Sequence, residues 1–151
     1  MTLALARRPE LARFGRLAVA RLGARRRLAR IAALFTFVGH AVDAPPAEDG
    51  QRDGLDLLLA LAGPDHGPAV ILAALLLALG ESARVIAGER AALVCVRIDA
   101  REVARLPPHS TVLLGGGSCH LLLDPRTARS PLGFVPRPLR DAMVDTLSTP
   151  T

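Results

Sequence analysis

The residues best suited to chemistry are a thiol and an imidazole that are neighbours in the chain, Cys119 and His120. Such a pair can act as nucleophile and base, because the imidazole accepts the thiol proton and leaves a reactive thiolate. Their surroundings are apolar and strand-like, however, and adjacent strand residues point to opposite faces of a sheet. We therefore expect Cys119, and Cys95 in its similar setting, to be buried structural thiols. The first alternative to this structural role is catalytic: a cysteine hydrolase or acyltransferase with a rebuilt site that uses Cys119 or Cys95.

Two other groups of polar residues have the wrong spacing for the sites that they suggest. The run from Gly115 to Ser118 is glycine-rich like a phosphate-binding loop, but it lacks the lysine and the following helix of that motif. It is typical of a turn between two strands. The other group has metal-ligand residue types in no compact metal-binding pattern; its members are Asp65, His66, His120 and Asp124. No metal or cofactor is therefore expected.

The first half of the chain is predicted to be helical around a polar loop. Apolar residues at helical spacing predict helix from Leu3 to about Val38, with a break near Gly23. The stretch from Asp43 to Gly54 is polar and rich in proline and glycine, which indicates a loop. A short helix is predicted after it, from Leu55 to Ala62.

A core helix and a group of strands are predicted in the second half. The helix runs from Gly67 to Leu79, with Asp65 as its N-cap and Gly80 at its end. Strands are predicted at Ala83–Ala87, Ala91–Ile98, Thr111–Leu114 and His120–Leu123. Shorter helical segments are expected at Asp99–Leu106 and Leu139–Leu147. This order predicts an α+β fold, with a helical N-terminal region and a core helix packed on a small antiparallel sheet.

Three stretches in this order resemble the transglutaminase-like superfamily, which has a papain-type Cys-His-Asp site. The first is Ala62-Gly-Pro-Asp-His-Gly-Pro followed by an alanine- and leucine-rich helix, Gly80 and Ser82-Ala-Arg-Val. The second is the strand Ala91–Ile98, and the third is His120-Leu-Leu-Leu-Asp-Pro. The segments Pro131–Pro136 and Val42–Pro46 are similar to two further loops of the compact bacterial and phage-associated branch. The resemblance covers about two-thirds of the chain.

The catalytic positions of that superfamily are altered in this chain. Alignment on the helix places Asp65 at the nucleophile position and Ala91 or Ala92 at the base position, so only the orienting carboxylate remains, as Asp124. A carboxylate cannot replace a thiolate in amide transfer, but it is a good helix N-cap. The resemblance therefore implies a pseudoenzyme with no transglutaminase, protease or amidase activity. Its implied role is a scaffold or assembly component of a phage-derived or multi-subunit complex.

Positive charge is concentrated near the beginning of the chain. Residues 1–40 contain nine arginines and one acidic residue, Glu10. This asymmetry favours an acidic protein partner, and a nucleic-acid-binding accessory protein is the second alternative. The candidate partner-binding residues are Arg7, Arg8, Arg13, Arg16, Arg25, Arg26, Arg27 and Arg30.

Length and cysteine use bear on the organisation and location of the protein. The 151 residues are divided into an Arg-rich helical region, 1–40, and a degenerate transglutaminase-like domain, 41–151, which we expect to form one structural unit. The longest apolar run, Ala69–Leu79, is about half the length that spans a bilayer, so no membrane span is expected. Buried thiols and the lack of a secretory signal pattern predict a cytoplasmic protein.

Overall fold

The computed structural model describes residues 7, 9–21, 26–43, 67–87, 92–115, 117–125 and 132–135. Within these residues the fold is α+β, as predicted, with helices packed on a four-stranded antiparallel sheet. The helices are α1 (Pro9–Arg21), α2 (Arg27–Asp43), α3 (Gly67–Ala78) and α4 (Ala100–Val103). The strands are β1 (Ala83–Ala87), β2 (Ala92–Ile98), β3 (Val112–Gly115) and β4 (Ser118–Leu123).

The core helix α3 begins at the predicted residue and is buried from Gly67 to Leu76. Its apolar residues lie on all sides, because α1 and α2 cover one side and the sheet covers another. Close approach of α1 depends on Gly15, where an added Cβ would lie 3.4 Å from the side chain of Leu79. The N-terminal helices therefore belong to the same hydrophobic core as the sheet.

A glycine ends α3 and turns the chain into β1. The amide of Glu81 donates to the carbonyl of Leu76 at 2.9 Å, and the amide of Gly80 donates to that of Leu77 at 3.0 Å. This is the Schellman pattern, which requires a left-handed residue, and Gly80 has φ +89°. The predicted end of the helix is confirmed.

The sheet has the order β1-β2-β4-β3, with every neighbouring pair antiparallel. The central pair is set in register by Val94 opposite Leu123 and Cys95 opposite Leu122. Strands β3 and β4 form the predicted hairpin, in which Gly115 lies opposite Ser118 and Gly117 has φ +78°. All four strands lie within two residues of their predicted bounds.

The sheet has two buried faces of different composition. The inner face packs against the helices through alternate residues of the two central strands: Ala92, Val94, Val96, Ile98, Cys119, Leu121 and Leu123. The outer face carries a smaller apolar cluster: Ile86, Leu93, Cys95, Leu122 and Val135. Residues 132–135 cross from one face to the other at the β3 edge, because Leu132 packs against the inner cluster and Val135 belongs to the outer one.

The end of one predicted helix differs by several residues from the structure, and some predictions lie outside the described residues. Helix α2 continues to Asp43, beyond the predicted end at Val38, and Gly39 within it is buried, so packing outweighs the low helix preference of glycine. The helices predicted at Leu55–Ala62 and Leu139–Leu147 lie outside the described residues. So do Asp65, the predicted N-cap, and most of the predicted loop.

Candidate functional site

Two residues at positions that the sequence resemblance makes catalytic lie at one end of the central strand pair. Ala92 is the first residue of β2, and Asp124 directly follows the last residue of β4. Because Val94 lies opposite Leu123, the start of β2 and the end of β4 are neighbours. Both residues are buried, and Ala92 offers no group that could accept a proton. The other two positions, Asp65 and Ala91, lie outside the described residues.

Cys119 and His120 are separated by the sheet. Cys119 belongs to the inner-face cluster and is 9% exposed. His120 lies between Cys119 and Leu121, both inner-face residues, so its half-buried side chain is directed to the outer face. The expectation that strand alternation keeps this thiol and imidazole apart is confirmed.

Cys95 lies on the outer face beside a cation. Cys95 is 1% exposed, and Arg84 is the residue opposite it on β1. Burial raises the pKa of Cys95, and this effect outweighs the opposing influence of Arg84. At neutral pH the protonated thiol therefore predominates, which is the inactive form of a cysteine nucleophile.

We expect both thiols to react slowly in the native protein. Burial blocks the reagent at both positions, and the raised pKa of Cys95 further lowers its thiolate fraction. Modification by a disulfide reagent at neutral pH should be about tenfold slower or more than in denaturant. A native thiol that reacts as fast as the denatured chain would instead support the rebuilt cysteine site, and Cys95→Ala and Cys119→Ala would identify it.

Metal-ligand residues do not converge within the described parts of the chain. No group of three or more histidine, cysteine, aspartate or glutamate side chains there is arranged to hold a metal ion. His120 lies within β4 and Asp124 directly follows that strand, whereas Asp65 and His66 are outside the described residues. Among the helices that the structure describes, none combines the length and apolar character needed to cross a bilayer.

Most of the described candidate arginines are exposed on the N-terminal helices. On α1, Arg13, Arg16 and Leu17 lie on one exposed face, as expected for positions three and four residues apart. Leu17 is 58% exposed, although it is a large apolar residue. The other exposed members of the set are Arg7, Arg26 and Arg30. Arg8 and Arg25 lie outside the described residues.

Arg27 differs from the other candidate arginines because its charge is used inside the protein. Its Nε lies 2.7 Å from a carboxylate oxygen of Glu81, and its Nη2 donates to the carbonyl of Arg97 at 2.7 Å. Its Nη1 lies 3.7 Å from Glu102 and 3.8 Å from Asp99. These contacts join the start of α2 to α4 and to one end of the β1–β2 pair, where the start of β1 lies beside the end of β2.

A second cationic group was not found by sequence reasoning. Arg84, Arg97 and His120 lie on the outer face of three neighbouring strands. The sequence does contain one indication of this cluster, a charged residue between two apolar residues of a strand, as in Val96-Arg97-Ile98. Strand alternation predicts its face, but only the strand order reveals its neighbours.

Comparisons with models of known protein families, with curated proteins and with solved structures find no match to this chain.

Proposed function

We propose that this chain is a non-catalytic, transglutaminase-like domain that binds an acidic protein partner through its N-terminal helices. The observation that carries the proposal is the exposed face of α1, where Leu17 is 58% exposed beside Arg13 and Arg16. A role in a phage-derived or multi-subunit assembly, within the cytoplasm, rests on the sequence resemblance and is part of the same proposal.

This face has the composition of a protein interface. Arginine and large apolar residues are favoured at interfaces, where the arginine stem also covers apolar surface. The guanidinium groups of Arg13 and Arg16 would steer an acidic surface toward the helix, and Leu17 would supply apolar burial at its centre. An acidic protein with an apolar contact site is therefore the partner that fits.

The loss of catalytic groups supports a binding role over an enzymatic one. Ala92 is buried at the start of β2 and has no proton acceptor. Cys119 and His120 lie on opposite faces, and the pKa of Cys95 is raised by burial. A thiol-based reaction needs a thiolate and a base within hydrogen-bond reach. Because the described residues do not bring a thiolate and a base together, they favour a protein that acts by binding through its surface.

Residues 1–30 include side chains that hold the fold together, so truncation is a poor test of the partner surface. Removal of residues 1–30 would take away Ala18, which is buried in the core, and Arg27, which binds Glu81. Loss of binding by that truncation would not distinguish a missing interface from a damaged fold. Substitution of exposed residues on α1 avoids this difficulty.

We expect Arg13→Glu/Arg16→Glu to weaken retention of the native partner about tenfold or more, because reversed charge repels an acidic surface. The measurement is capture from the native cell extract on the immobilised full chain, with quantitative mass spectrometry. Arg101→Glu/Arg105→Glu is the matched control, since these exposed arginines lie near α4 and the change in charge is identical.

Two outcomes would contradict this proposal. Equal loss in both double variants would indicate a general charge effect, and unchanged retention in both would place the interface elsewhere. If the α1 variant is instead the one that no longer captures nucleic acid, in an interaction that depends steeply on salt concentration, the result would favour a nucleic-acid-binding accessory protein.

A further inference from the structure

Three strands bring two arginines and a histidine together on the outer face of the sheet. Arg97 of β2 lies directly opposite His120 of β4. Arg84 of β1 lies opposite Cys95, which is two residues from Arg97 on the same strand. Directly opposite residues have Cβ atoms about 5 Å apart, and diagonal neighbours about 7–8 Å. Long arginine side chains at these positions can reach a common ligand.

The packing of the neighbouring residues fixes the direction of these side chains. Val96 and Ile98, on either side of Arg97, belong to the inner-face cluster. Ala83 and Val85, on either side of Arg84, pack against the same cluster. Both arginines are therefore directed outward, and both are exposed, so a ligand can approach them from solvent.

Part of this cluster is held in place. Arg84 lies directly opposite Cys95 and close enough to oppose the rise in the pKa of that thiol, so its guanidinium lies over the sheet toward β2. The amide of Arg97 donates to the carbonyl of Ser82 at 2.9 Å, which keeps β1 beside β2 at this level and leaves exposed Ser82 next to Arg97. A partly ordered arginine loses less conformational entropy when it binds an anion.

The nearby carboxylates are engaged elsewhere. Glu81, Asp99 and Glu102 are all directed to Arg27. Asp124 is buried beyond Leu122, on the opposite side of that residue from His120. Within the described residues, neither Arg84 nor Arg97 has a carboxylate within salt-bridge distance. The guanidinium groups of Arg84 and Arg97, at diagonal cross-strand positions, repel one another, and a bound anion would remove that cost.

We propose that Arg84, Arg97 and His120 bind the phosphate group of a small soluble phosphate compound. Two guanidinium forks match the oxygens of a tetrahedral phosphate, and an imidazole can supply a further donor. The buried apolar row beside them, which includes Leu93 and Leu122, excludes water from one side and strengthens the attraction. This site is separate from the exposed face of α1 and does not depend on the proposed partner.

The test is calorimetric titration of the full chain with inorganic phosphate, and separately with glycerol 3-phosphate, in phosphate-free buffer of low ionic strength. We expect saturable binding to the unmodified protein. Arg97→Gln should weaken it about tenfold or more, as expected for loss of a charge-assisted hydrogen bond. His120→Gln is a second, independent variant. Arg101→Gln, which also removes one exposed arginine, is the matched control and should bind as the unmodified protein does, and circular dichroism should confirm that each variant is folded.

The proposal is wrong if the unmodified protein shows no saturable binding of either compound, or if Arg97→Gln and His120→Gln bind as tightly as it does. Equal weakening in the control would indicate nonspecific attraction to net charge, which also contradicts the proposal.

A separate experiment tests binding of the full chain to vesicles that contain phosphatidic acid. Binding to vesicles without binding to soluble phosphate would show that the cluster recognises a lipid surface instead. Retention of the protein partner by Arg97→Gln would show that the two surfaces act separately.

Discussion

Replacement of Arg27 with alanine is expected to lower the free energy of unfolding by about 2–3 kcal/mol, as estimated from charge-assisted hydrogen bonds to poorly exposed groups. The side chain of Arg27 is 29% exposed, and its partner Glu81 is 11% exposed. Glu102, also within reach, is 14% exposed. Without the guanidinium, two carboxylates would remain close together with little access to water, and the carbonyl of Arg97 would lose a donor.

The charges around Arg27 also indicate that its guanidinium stabilises the folded protein. Burial lowers the pKa of Arg27, but the hydrogen bond and charge of Glu81, with the charges of Glu102 and Asp99, outweigh burial and raise it. A raised pKa means that the folded protein favours the charged guanidinium. That contribution is fully present below the pKa of the unfolded chain, so it persists throughout the physiological pH range.

Urea denaturation of the full chain measures this effect. Arg26→Ala and Arg30→Ala are matched controls, because both arginines are exposed near the start of α2 and should change stability by less than about 0.5 kcal/mol. Equal stability of all three variants would show that the Arg27 contacts contribute nothing net. Arg27→Lys tests geometry, because a lysine retains the charge but cannot donate to both Glu81 and the carbonyl of Arg97 in a fixed fork.

Local signals in the sequence predict the elements of this fold well. An uninterrupted apolar run that ends in Gly80 is sufficient to predict α3, and the glycine run before Ser118 predicts the β3–β4 hairpin. These features depend on a few neighbouring residues. Their physical causes, which are side-chain burial and left-handed backbone conformation, can be recognised without knowledge of the rest of the chain.

Relations between distant segments could not be predicted in the same way. The separation of Arg27 and Glu81 is 54 residues, and neither residue indicates its partner by type or spacing. Sequence reasoning therefore assigned Arg27 to a surface, although its neighbours Arg26 and Arg30 are the exposed ones. The pairing of β2 with β4 rather than β3 is a second example, and without it Arg97 and His120 would not be recognised as neighbours.

Gly133→Ala should cause a second large effect, because a side chain at this position meets both backbone strain and a steric clash. Gly133 has φ +82°, a left-handed conformation that costs an alanine about 1–2 kcal/mol. An added Cβ would also lie 2.8 Å from Cβ and Oγ of Ser110 and 2.9 Å from Cδ1 of Leu121. Overpacking of this kind adds about 1–3 kcal/mol, so we expect a total loss of about 2–5 kcal/mol.

The loss should be concentrated at the edge of the sheet. The carbonyl of Gly133 accepts a hydrogen bond from the amide of Thr111 at 2.9 Å, and Val135 beyond it is 3% exposed in the outer-face cluster. Displacement of residues 132–135 would break that bond and open the cluster. Hydrogen exchange at the Thr111 amide should therefore accelerate more than exchange at amides in the centre of β2.

Gly117→Ala is the matched control, since Gly117 has φ +78° but no atom within 4 Å of its added Cβ. The control carries the backbone strain alone. If urea denaturation gave equal losses for the two variants, the clash with Ser110 and Leu121 would be relieved by small movements, and the close fit of residues 132–135 against the sheet would contribute no stability of its own.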